Sequence, residues 1–256
     1  MATARNLPRN ALVTGGARRV GAAMARHLAE AGVNVAIHYH DSPHEAEALA
    51  AELTAANVRC VALKGDLTRA EEITALFGAA VAALGPIDLL VNNASAFEPD
   101  DAEDPDARRW DLHFAVHLKA PSLLAAEFAR QNGLEDGLIV NLIDQRVWRL
   151  NPNFYSYTLS KSALWTATRT LAQALAPRIR VNAIGPGPTL PNERQTRDDF
   201  DRQVDGLLLK RSPALSEFGD TLLWLWRAKS VTGQMIALDG GQHLAWQTPD
   251  ISGISE

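Results

Sequence analysis

The chain has very little cysteine: Cys60 is the only one among 256 residues, so no internal disulfide can form. Histidine and cysteine do not occur at the spacing of a zinc site, and we expect no bound metal. The longest apolar runs, such as GLIVNLI, are too short to cross a bilayer. The opening segment MATARNLPRN lacks the apolar core of a secretory signal. These absences predict a cytoplasmic protein.

An excess of positive charge is also missing. The formal net charge is -5 at pH 7, which gives no general attraction to nucleic acid or to an anionic membrane. We therefore expect neither as a partner, and a small molecule as substrate. The length and the ordinary composition, with 46% hydrophobic residues, predict one domain over residues 1–256.

Short apolar segments alternate with longer amphipathic ones along the chain. The predicted strands are NALVT, NVAIHYH, VRCVALKG, IDLLVNNA, GLIVNLI, RIRVNAI and GQMIAL. Stretches between them, such as GAAMARHLAEAG, carry apolar residues at the three- and four-residue spacing of helices. Because the strands are apolar without alternation, helices should cover both of their faces. The pattern predicts an α/β fold, a doubly wound parallel sheet of about seven strands.

The segment ALVTGGARRVG joins the first predicted strand to the first helix. Gly15 follows the strand and Gly21 lies at the start of the helix, so that backbone N–H groups could face an anionic pyrophosphate. The spacing is not GxGxxG, and a tight turn without a ligand is the alternative. Arg18 and Arg19 add two cations, and Arg19 stands where a dinucleotide loop usually has its middle glycine.

The end of the second strand, HYHDS, bears on the choice of cofactor. An acid about 20 residues beyond the turn indicates NAD, whereas a cation accommodates the 2′-phosphate of NADP. Asp41 favours NADH, while Arg18, His38, His40 and Ser42 favour NADPH. Because Asp41 is expected to lie past the last strand residue, we favour NADPH.

Two further segments bear on ligand binding. In KGDL, Asp66 could accept a hydrogen bond from the adenine amino group or could cap the next helix. The segment GPGPTLPNERQTRDDFDRQVDG, residues 185–206, is rich in proline and charge and follows the sixth predicted strand. Loops at the carboxyl ends of parallel strands carry ligand sites, so this segment is a predicted substrate flap.

The segment YTLSK contains the clearest chemical pattern. Tyr157 and Lys161 are four residues apart and share one face of a helix. A nearby ammonium would favour the phenolate and lower the pKa of the tyrosine, which would improve proton transfer near neutral pH. An exposed helix pair is the alternative, but the position after the fifth strand favours catalysis.

The segments TGGARRVG, GDL, NNAS, YTLSK, NAIGPGP and SVTGQMIALDGG resemble the short-chain dehydrogenase/reductase family over nearly the whole chain. The resemblance implies a Rossmann-like fold, a homodimer or homotetramer, and a proton transferred by Tyr157. Lys161 would bind the nicotinamide ribose, and Asn93, Pro186 and Gly187 would line the nicotinamide pocket. The cofactor-binding residues so predicted are Gly15, Arg18, Arg19, Val20, Gly21, His38, His40, Ser42, Asp66, Leu67, Asn93, Ala94, Ser95, Lys161, Pro186 and Gly187.

Two features depart from the general family: the arginine pair in the turn, and Asp144 where the family has a serine. A carboxylate is a poor partner for a ketone oxygen because both accept hydrogen bonds, but it suits a ring with N–H groups or a ring nitrogen to be protonated. In both departures the chain resembles pteridine reductases and bacterial dihydromonapterin reductases. That resemblance makes Asp144, Tyr157 and Lys161 the predicted catalytic residues.

The same resemblance implies a pocket for a flat pterin. Phe97 would stack on one face of the ring while the nicotinamide covers the other, and Ser95 would hydrogen-bond the substrate. Arg19 would contact the pterin or a cofactor phosphate, and Trp148 could line the pocket. The predicted substrate-binding residues are Arg19, Ser95, Phe97, Asp144, Trp148 and Tyr157.

Simpler explanations exist for single residues. Phe97 could be a core residue, and Asp144 could cap a turn or pair with Arg146. His117 stands where the family has an asparagine that holds a relay water, and it could hold that water or only pack the helix. The favoured hypothesis is an NADPH-dependent reductase that converts a dihydropterin to a tetrahydropterin. The alternatives are a general carbonyl or 3-oxoacyl reductase and a non-catalytic NADP(H)-binding sensor.

Overall fold

The computed structural model describes residues 6–55, 58–192, 194–248 and 251–252. The strands are β1 (Asn10–Val13), β2 (Asn34–Tyr39), β3 (Cys60–Lys64), β4 (Leu89–Asn92), β5 (Gly137–Leu142), β6 (Ile179–Pro186) and β7 (Met235–Leu238). They form one seven-stranded sheet in the order β3-β2-β1-β4-β5-β6-β7, and every neighbouring pair is parallel. This arrangement confirms the predicted fold class, and only β6 runs past its predicted segment.

The strands are joined by helices that cover both faces of the sheet. The helices are α1 (Arg19–Glu30), α2 (Pro43–Thr54), α3 (Ala70–Leu84), α4 (Ala107–Phe114), α5 (Ala120–Arg130), α6 (Tyr155–Leu175), α7 (Arg197–Asp205) and α8 (Leu215–Arg227). A π-helical turn, Ala115–Lys119, links α4 to α5, and short 3-10 turns cover Gln145–Val147 and Gln242–Leu244.

Alternate residues of strands β1 to β5 enter two separate hydrophobic cores. Ala11 and Val13 of β1 pack in the core beneath α1, α2 and α8, whereas Leu12 packs in the core beneath α3, α5 and α6. Successive strand residues point to opposite faces, so a strand covered on both sides must be apolar throughout. This explains why the strands lack polar alternation.

The parallel arrangement brings the ends of the central strands to one edge of the sheet. The chain leaves β1 towards Gly15, β4 towards Asn93, β5 towards Asp144 and β6 towards Gly187. Strand order reverses direction between the neighbours β1 and β4, and a crevice at such a reversal is where ligands bind in open α/β sheets.

The packing of α8 on α1 depends on Gly219. A methyl group added at Gly219 would overlap the side chain of His27 on α1. We expect Gly219→Ala to lower the free energy of unfolding by about 1–3 kcal/mol, because this clash outweighs the gain in helix propensity. Urea denaturation measures the change.

Gly78→Ala in α3 is the matched control, since nothing lies within 4 Å of a methyl group added there. It should raise the free energy of unfolding by about 0.5–1 kcal/mol through helix propensity alone. Equal stabilisation by both substitutions would contradict the proposed close packing of the two helices.

Candidate active site

A cavity of about 590 Å³ opens at the carboxyl edge of the sheet. Its walls come from the turn after β1, the loops after β4 and β5, the first turns of α6, and the segment after β6. A depression of about 800 Å³ beside α4 is larger, but it lies away from the predicted catalytic residues. The edge cavity is therefore the candidate active site.

The three predicted catalytic residues all line this cavity. The Tyr157 hydroxyl donates a hydrogen bond of 2.9 Å to Asp144 Oδ2. Lys161 Nζ donates to the carbonyl of Leu142 at 2.8 Å and lies 5.8 Å from the centre of the Tyr157 ring. The ammonium is thus one helical turn from the tyrosine, as the spacing predicted, but the carboxylate is the group that holds the phenol.

The surroundings of Tyr157 move its pKa in the direction opposite to the prediction. Burial raises the pKa of Tyr157 well above its ordinary value, and the charge of Asp144 and the hydrogen bond to it raise the pKa further. The predicted lowering by Lys161 is therefore wrong. Burial lowers the pKa of Lys161 to about 8, although Asp144 opposes that shift. Near neutral pH the tyrosine is a neutral phenol that can donate a proton.

Asp144 serves two partners at once. Its backbone is extended, and its Oδ1 accepts a hydrogen bond of 2.8 Å from the backbone N–H of Arg146 while Oδ2 accepts from Tyr157. The Arg146 guanidinium bonds instead to the carbonyl of Asn153 at 2.9 Å. The carboxylate therefore caps a turn and also faces the cavity.

Phe97 lines the cavity in contact with two aromatic rings. Its ring stacks on Phe154 with centroids 4.2 Å apart and planes at 12°. The Tyr157 ring meets it edge-on at 4.7 Å. Phe154 has a φ of 60°, in the left-handed region that phenylalanine rarely adopts, and this backbone conformation belongs to the residue just before α6. The aromatic group beside the tyrosine is thus a pair.

His117 is buried and holds the loop that carries Phe97. Its Nε2 accepts hydrogen bonds from the Ser95 hydroxyl at 3.0 Å and from the Ala96 N–H at 3.2 Å. Its Nδ1 therefore carries the proton and donates to Ser160 Oγ at 2.8 Å. Both ring nitrogens are used within the protein, which favours the second of the two possibilities left open for His117, a structural role: this histidine anchors the loop.

His113 repeats this arrangement one helical turn earlier. Its Nε2 accepts from the backbone N–H of Glu98 at 3.2 Å, and its Nδ1 lies 2.7 Å from Ser156 Oγ. Burial lowers the pKa of His113 and of His117, which keeps both rings neutral. The backbone N–H groups on either side of Phe97 are thus each held by a buried histidine.

The glycines of the first turn allow close approach of the backbone. Gly15 has a φ of 59°, and a Cβ there would lie 2.9 Å from the Cα of Ala94. A Cβ on Gly21 would lie 2.6 Å from Asn93 Nδ2, which donates to the Gly15 carbonyl at 2.9 Å. No side chain caps the start of α1, so its N–H groups can face an anion.

Arg19 adopts the conformation that a glycine would favour at its position. Its φ is 54°, and its guanidinium donates to the carbonyls of Pro191 at 3.1 Å and Leu190 at 3.3 Å. Arg19 and Val20 both line the cavity. The second arginine of the turn therefore links the turn to the segment after β6.

The end of β2 carries charges of both signs. The Arg18 guanidinium lies 3.7 Å from the Asp41 carboxylate and 3.8 Å from that of Glu45. The Ser42 hydroxyl donates to Asp41 at 3.3 Å, and His40 is exposed beside them. The Arg18 guanidinium and the His40 imidazole are the donors available to a 2′-phosphate at this point.

His38 does not face that site. It is buried, its Nδ1 accepts from the Gly15 N–H at 3.0 Å, and its Nε2 lies 3.0 Å from the Gly65 carbonyl. Burial also lowers the pKa of His38 to about 4. The prediction that His38 contacts a phosphate is therefore corrected: the neutral ring accepts a hydrogen bond from the backbone of the glycine turn.

Trp148 is also corrected, because it does not line the cavity. Its ring meets Trp165 edge-on at 6.3 Å and His243 at 5.0 Å, on the outer side of the 3-10 turn that follows Asp144. The 3-10 turn thus places Trp148 outside the cavity.

The remaining predicted residues lie around the edge of the sheet. Pro186 and Gly187 line the cavity, and Ala94 is partly buried beside the glycine turn. Asp66 Oδ1 accepts from the N–H and the hydroxyl of Thr68 at 2.8 and 2.7 Å. The side chain of Leu67 is buried in the core, so only its backbone could contact a ligand.

Several cavity residues were not predicted as site residues, among them Phe154, Arg194 and Gln145. Phe154 stacks on Phe97, Arg194 lies beside both rings, and the buried Gln145 Oε1 has no hydrogen-bond partner. Of these three, Arg194 alone had a signal in the sequence, because it belongs to the predicted flap. The flap supplies the wall from Pro186 to Gln195 and then α7, and residue 193 is outside the described residues.

Neither a metal cluster nor a membrane span is present in the part of the chain that the structure describes. No group of three histidine, cysteine or acidic residues there could hold a metal ion. No helix in that part is long and apolar enough to cross a bilayer.

Comparison with known proteins identifies relatives of this chain. A family model described as Enoyl-(Acyl carrier protein) reductase matches residues 15–243. The 3-oxoacyl-(acyl-carrier-protein) reductase FabG of Staphylococcus epidermidis is 30% identical over 245 residues, which cover 92% of this chain and 99% of that protein.

Solved structures add two similar proteins. FolM alternative dihydrofolate reductase 1 from Brucella suis, in complex with NADP, has a TM-score of 0.93 and 56% identity, and the match covers 95% of this chain and 98% of that one. A blue fluorescent protein from a metagenomic library, in complex with NADPH, has a TM-score of 0.84 and 29% identity over 91% of this chain and 97% of that one. The chain belongs to the short-chain dehydrogenase/reductase family.

Proposed function

We propose that this protein is an NADPH-dependent reductase that converts a dihydropterin-type substrate to its tetrahydro form. The hydrogen bond from the Tyr157 hydroxyl to Asp144, directly beside the Phe97 ring, carries the proposal. It places a proton donor and a carboxylate acceptor against an aromatic surface, which suits a flat ring with N–H groups. The similarity to the Brucella alternative dihydrofolate reductase supports the same substrate class.

The edge of the sheet fits a dinucleotide cofactor. Gly15 and Gly21 leave room for the pyrophosphate beside the start of α1, and Arg18 and His40 would hold the 2′-phosphate of NADPH. Lys161 would hold the nicotinamide ribose from the cavity floor. When bound, this cofactor supplies a hydride for the carbon of the C=N bond. NADP or NADPH in the two similar structures supports the choice.

The chain itself handles the proton. As the C=N carbon gains a hydride, the ring nitrogen gains a proton, and the neutral Tyr157 hydroxyl is placed to donate it. Asp144 holds that hydroxyl and accepts hydrogen bonds from ring N–H groups. Phe97, fixed by the two histidines, supports one face of the ring.

A general carbonyl or 3-oxoacyl reductase is the second candidate, and the 30% identity to FabG favours it. Asp144 is the observation against it, because a carboxylate cannot donate a hydrogen bond to a ketone oxygen. A non-catalytic sensor would not require Tyr157 and Lys161 in one cavity. Assembly as a homodimer or homotetramer and residence in the cytoplasm stay predictions from the sequence.

Replacing Tyr157 with phenylalanine removes the proposed proton donor and keeps the ring. We expect kcat with NADPH and a dihydropterin to fall by about 10²–10⁴-fold, while the Kd for NADPH changes by less than about threefold. Stopped-flow absorbance and cofactor fluorescence give the two quantities. Tyr155→Phe, two residues earlier on α6, is the control and should keep the normal kcat; an active Tyr157→Phe enzyme would contradict the assignment.

Asp144→Ser restores the residue that the general family uses. Since the hydroxyl can donate to a carbonyl but bonds ring N–H groups more weakly, kcat/KM for a dihydropterin should fall by about 10²-fold. Reduction of a 3-oxoacyl thioester by the same variant should hold or rise. Equal losses on both substrates would show that Asp144 does not select the substrate.

The pH profile tests the charge on Lys161. Because its pKa is about 8, the ammonium is charged below pH 8 and neutral above it, whereas an ordinary lysine stays charged to a much higher pH. We expect log kcat/KM to fall above about pH 8 with a slope near -1, as for one essential protonated group. A profile that stays flat to pH 10 would contradict a role for the charged amine.

A further inference from the structure

Two guanidinium groups lie beside the stacked pair of aromatic rings at the cavity. Arg146, from the turn after β5, lies 6.0 Å from the Phe97 centroid and 5.6 Å from that of Phe154. Arg194, from the flap after β6, lies 5.2 and 5.5 Å from the same two rings. Residues far apart in the sequence thus place two positive charges beside the proposed ring-binding surface.

Neither guanidinium has a carboxylate partner among the described residues. Arg146 donates to the Asn153 carbonyl, and Arg194 donates to the Phe97 carbonyl at 2.9 Å. A guanidinium has five N–H donors, so most donors of each group remain available. Over the described ranges, Asp144 is the sole acidic residue lining the cavity, and its carboxylate already accepts from Tyr157 and from a backbone N–H.

Other arginines, for example Arg59 and Arg178, also bond to backbone carbonyls rather than to carboxylates, whereas Arg26 and Arg69 pair with Glu52 and Glu71 at 2.8 Å. What distinguishes Arg146 and Arg194 is their position beside the aromatic rings of the cavity. The chain as a whole is acidic, with a formal net charge of -5. A surplus of positive charge in an acidic protein, at the mouth of its active site, indicates an anionic ligand group.

We propose that Arg146 and Arg194 form an anion subsite for a carboxylate on the substrate. Building on the proposed function, this specifies a dihydropterin with an acidic side chain, such as a benzoylglutamate group, over one with a neutral hydroxyalkyl chain. Guanidinium groups bind carboxylates through paired hydrogen bonds and also stack on aromatic rings. The pterin would lie at Phe97, Asp144 and Tyr157, and its acidic side chain would extend past the two arginines.

The position of the pair separates it from the cofactor phosphates. Arg18 and the start of α1 lie at the glycine turn, where the pyrophosphate and the 2′-phosphate would bind. Arg146 and Arg194 lie instead within 6.0 Å of the Phe97 ring, and Arg146 is 5.9 Å from the Tyr157 ring. The anion that they bind therefore belongs to the molecule that covers those rings.

The test compares dihydrofolate, which carries two carboxylates, with dihydrobiopterin, which carries none, in Arg146→Gln, Arg194→Gln and the double variant. Each single change should raise KM and Kd for dihydrofolate about three- to tenfold, and the double change should raise them more. In all three variants KM and Kd for dihydrobiopterin should stay within about twofold of the values for the unmodified protein. Added salt should weaken dihydrofolate binding to the unmodified protein but not to the arginine variants. Arg130→Gln, on the exposed surface of α5, is the control and should change neither substrate.

The outcomes separate this proposal from the one on which it rests. Equal losses for both pterins would mean that the arginines only hold the aromatic loop, and unchanged dihydrofolate values would mean that no anion subsite exists; either overturns the proposal. If the unmodified protein reduced neither pterin with NADPH, the proposed function would fail. Kd values from calorimetry with dihydrofolate and dihydrobiopterin would still decide the anion subsite in that case.

Discussion

The hydrogen bond between the Tyr157 hydroxyl and Asp144 sets the chemistry of the cavity. A buried phenol next to a carboxylate keeps its proton, because ionisation would place two negative charges 2.9 Å apart in a region with little water. The site therefore holds a protonated phenol near neutral pH, and no phenolate that could act as a base. Lys161, bonded to a backbone carbonyl, contributes charge without taking the place of the carboxylate.

The position of that pair depends on two buried histidines that act on the neighbouring loop. Residues 95–98 make no strand or helix, and a loop of this kind would ordinarily leave its N–H groups to water. His117 replaces water as the acceptor for the N–H of Ala96, and His113 does so for the N–H of Glu98. Each histidine is neutral and donates its remaining N–H to a serine of α6, so the loop and the catalytic helix are tied through one set of bonds.

Features that depend on local pattern could be predicted from the sequence. The strands follow from apolar runs, the turn from Gly15, and the shared face of Tyr157 and Lys161 from their spacing. Features that depend on distant contacts could not. The buried place of His38 requires a neighbouring loop at Gly65, and Arg194 reaches Phe97 from 97 residues away. The type of a side chain shows which groups it can bind, but only the fold shows which of those groups lies within hydrogen-bond distance.

Arg19 couples two parts of the cavity that could otherwise vary separately. A glycine would relieve its left-handed backbone, yet only a long cationic side chain can reach the carbonyls of Leu190 and Pro191. The backbone conformation of Arg19 is thus locally unfavourable, while its side chain links the cofactor turn to the wall of the substrate pocket. A change of flap conformation that moved the Leu190 and Pro191 carbonyls would therefore also release the side chain of a residue about 170 positions earlier, at the turn where the cofactor is expected.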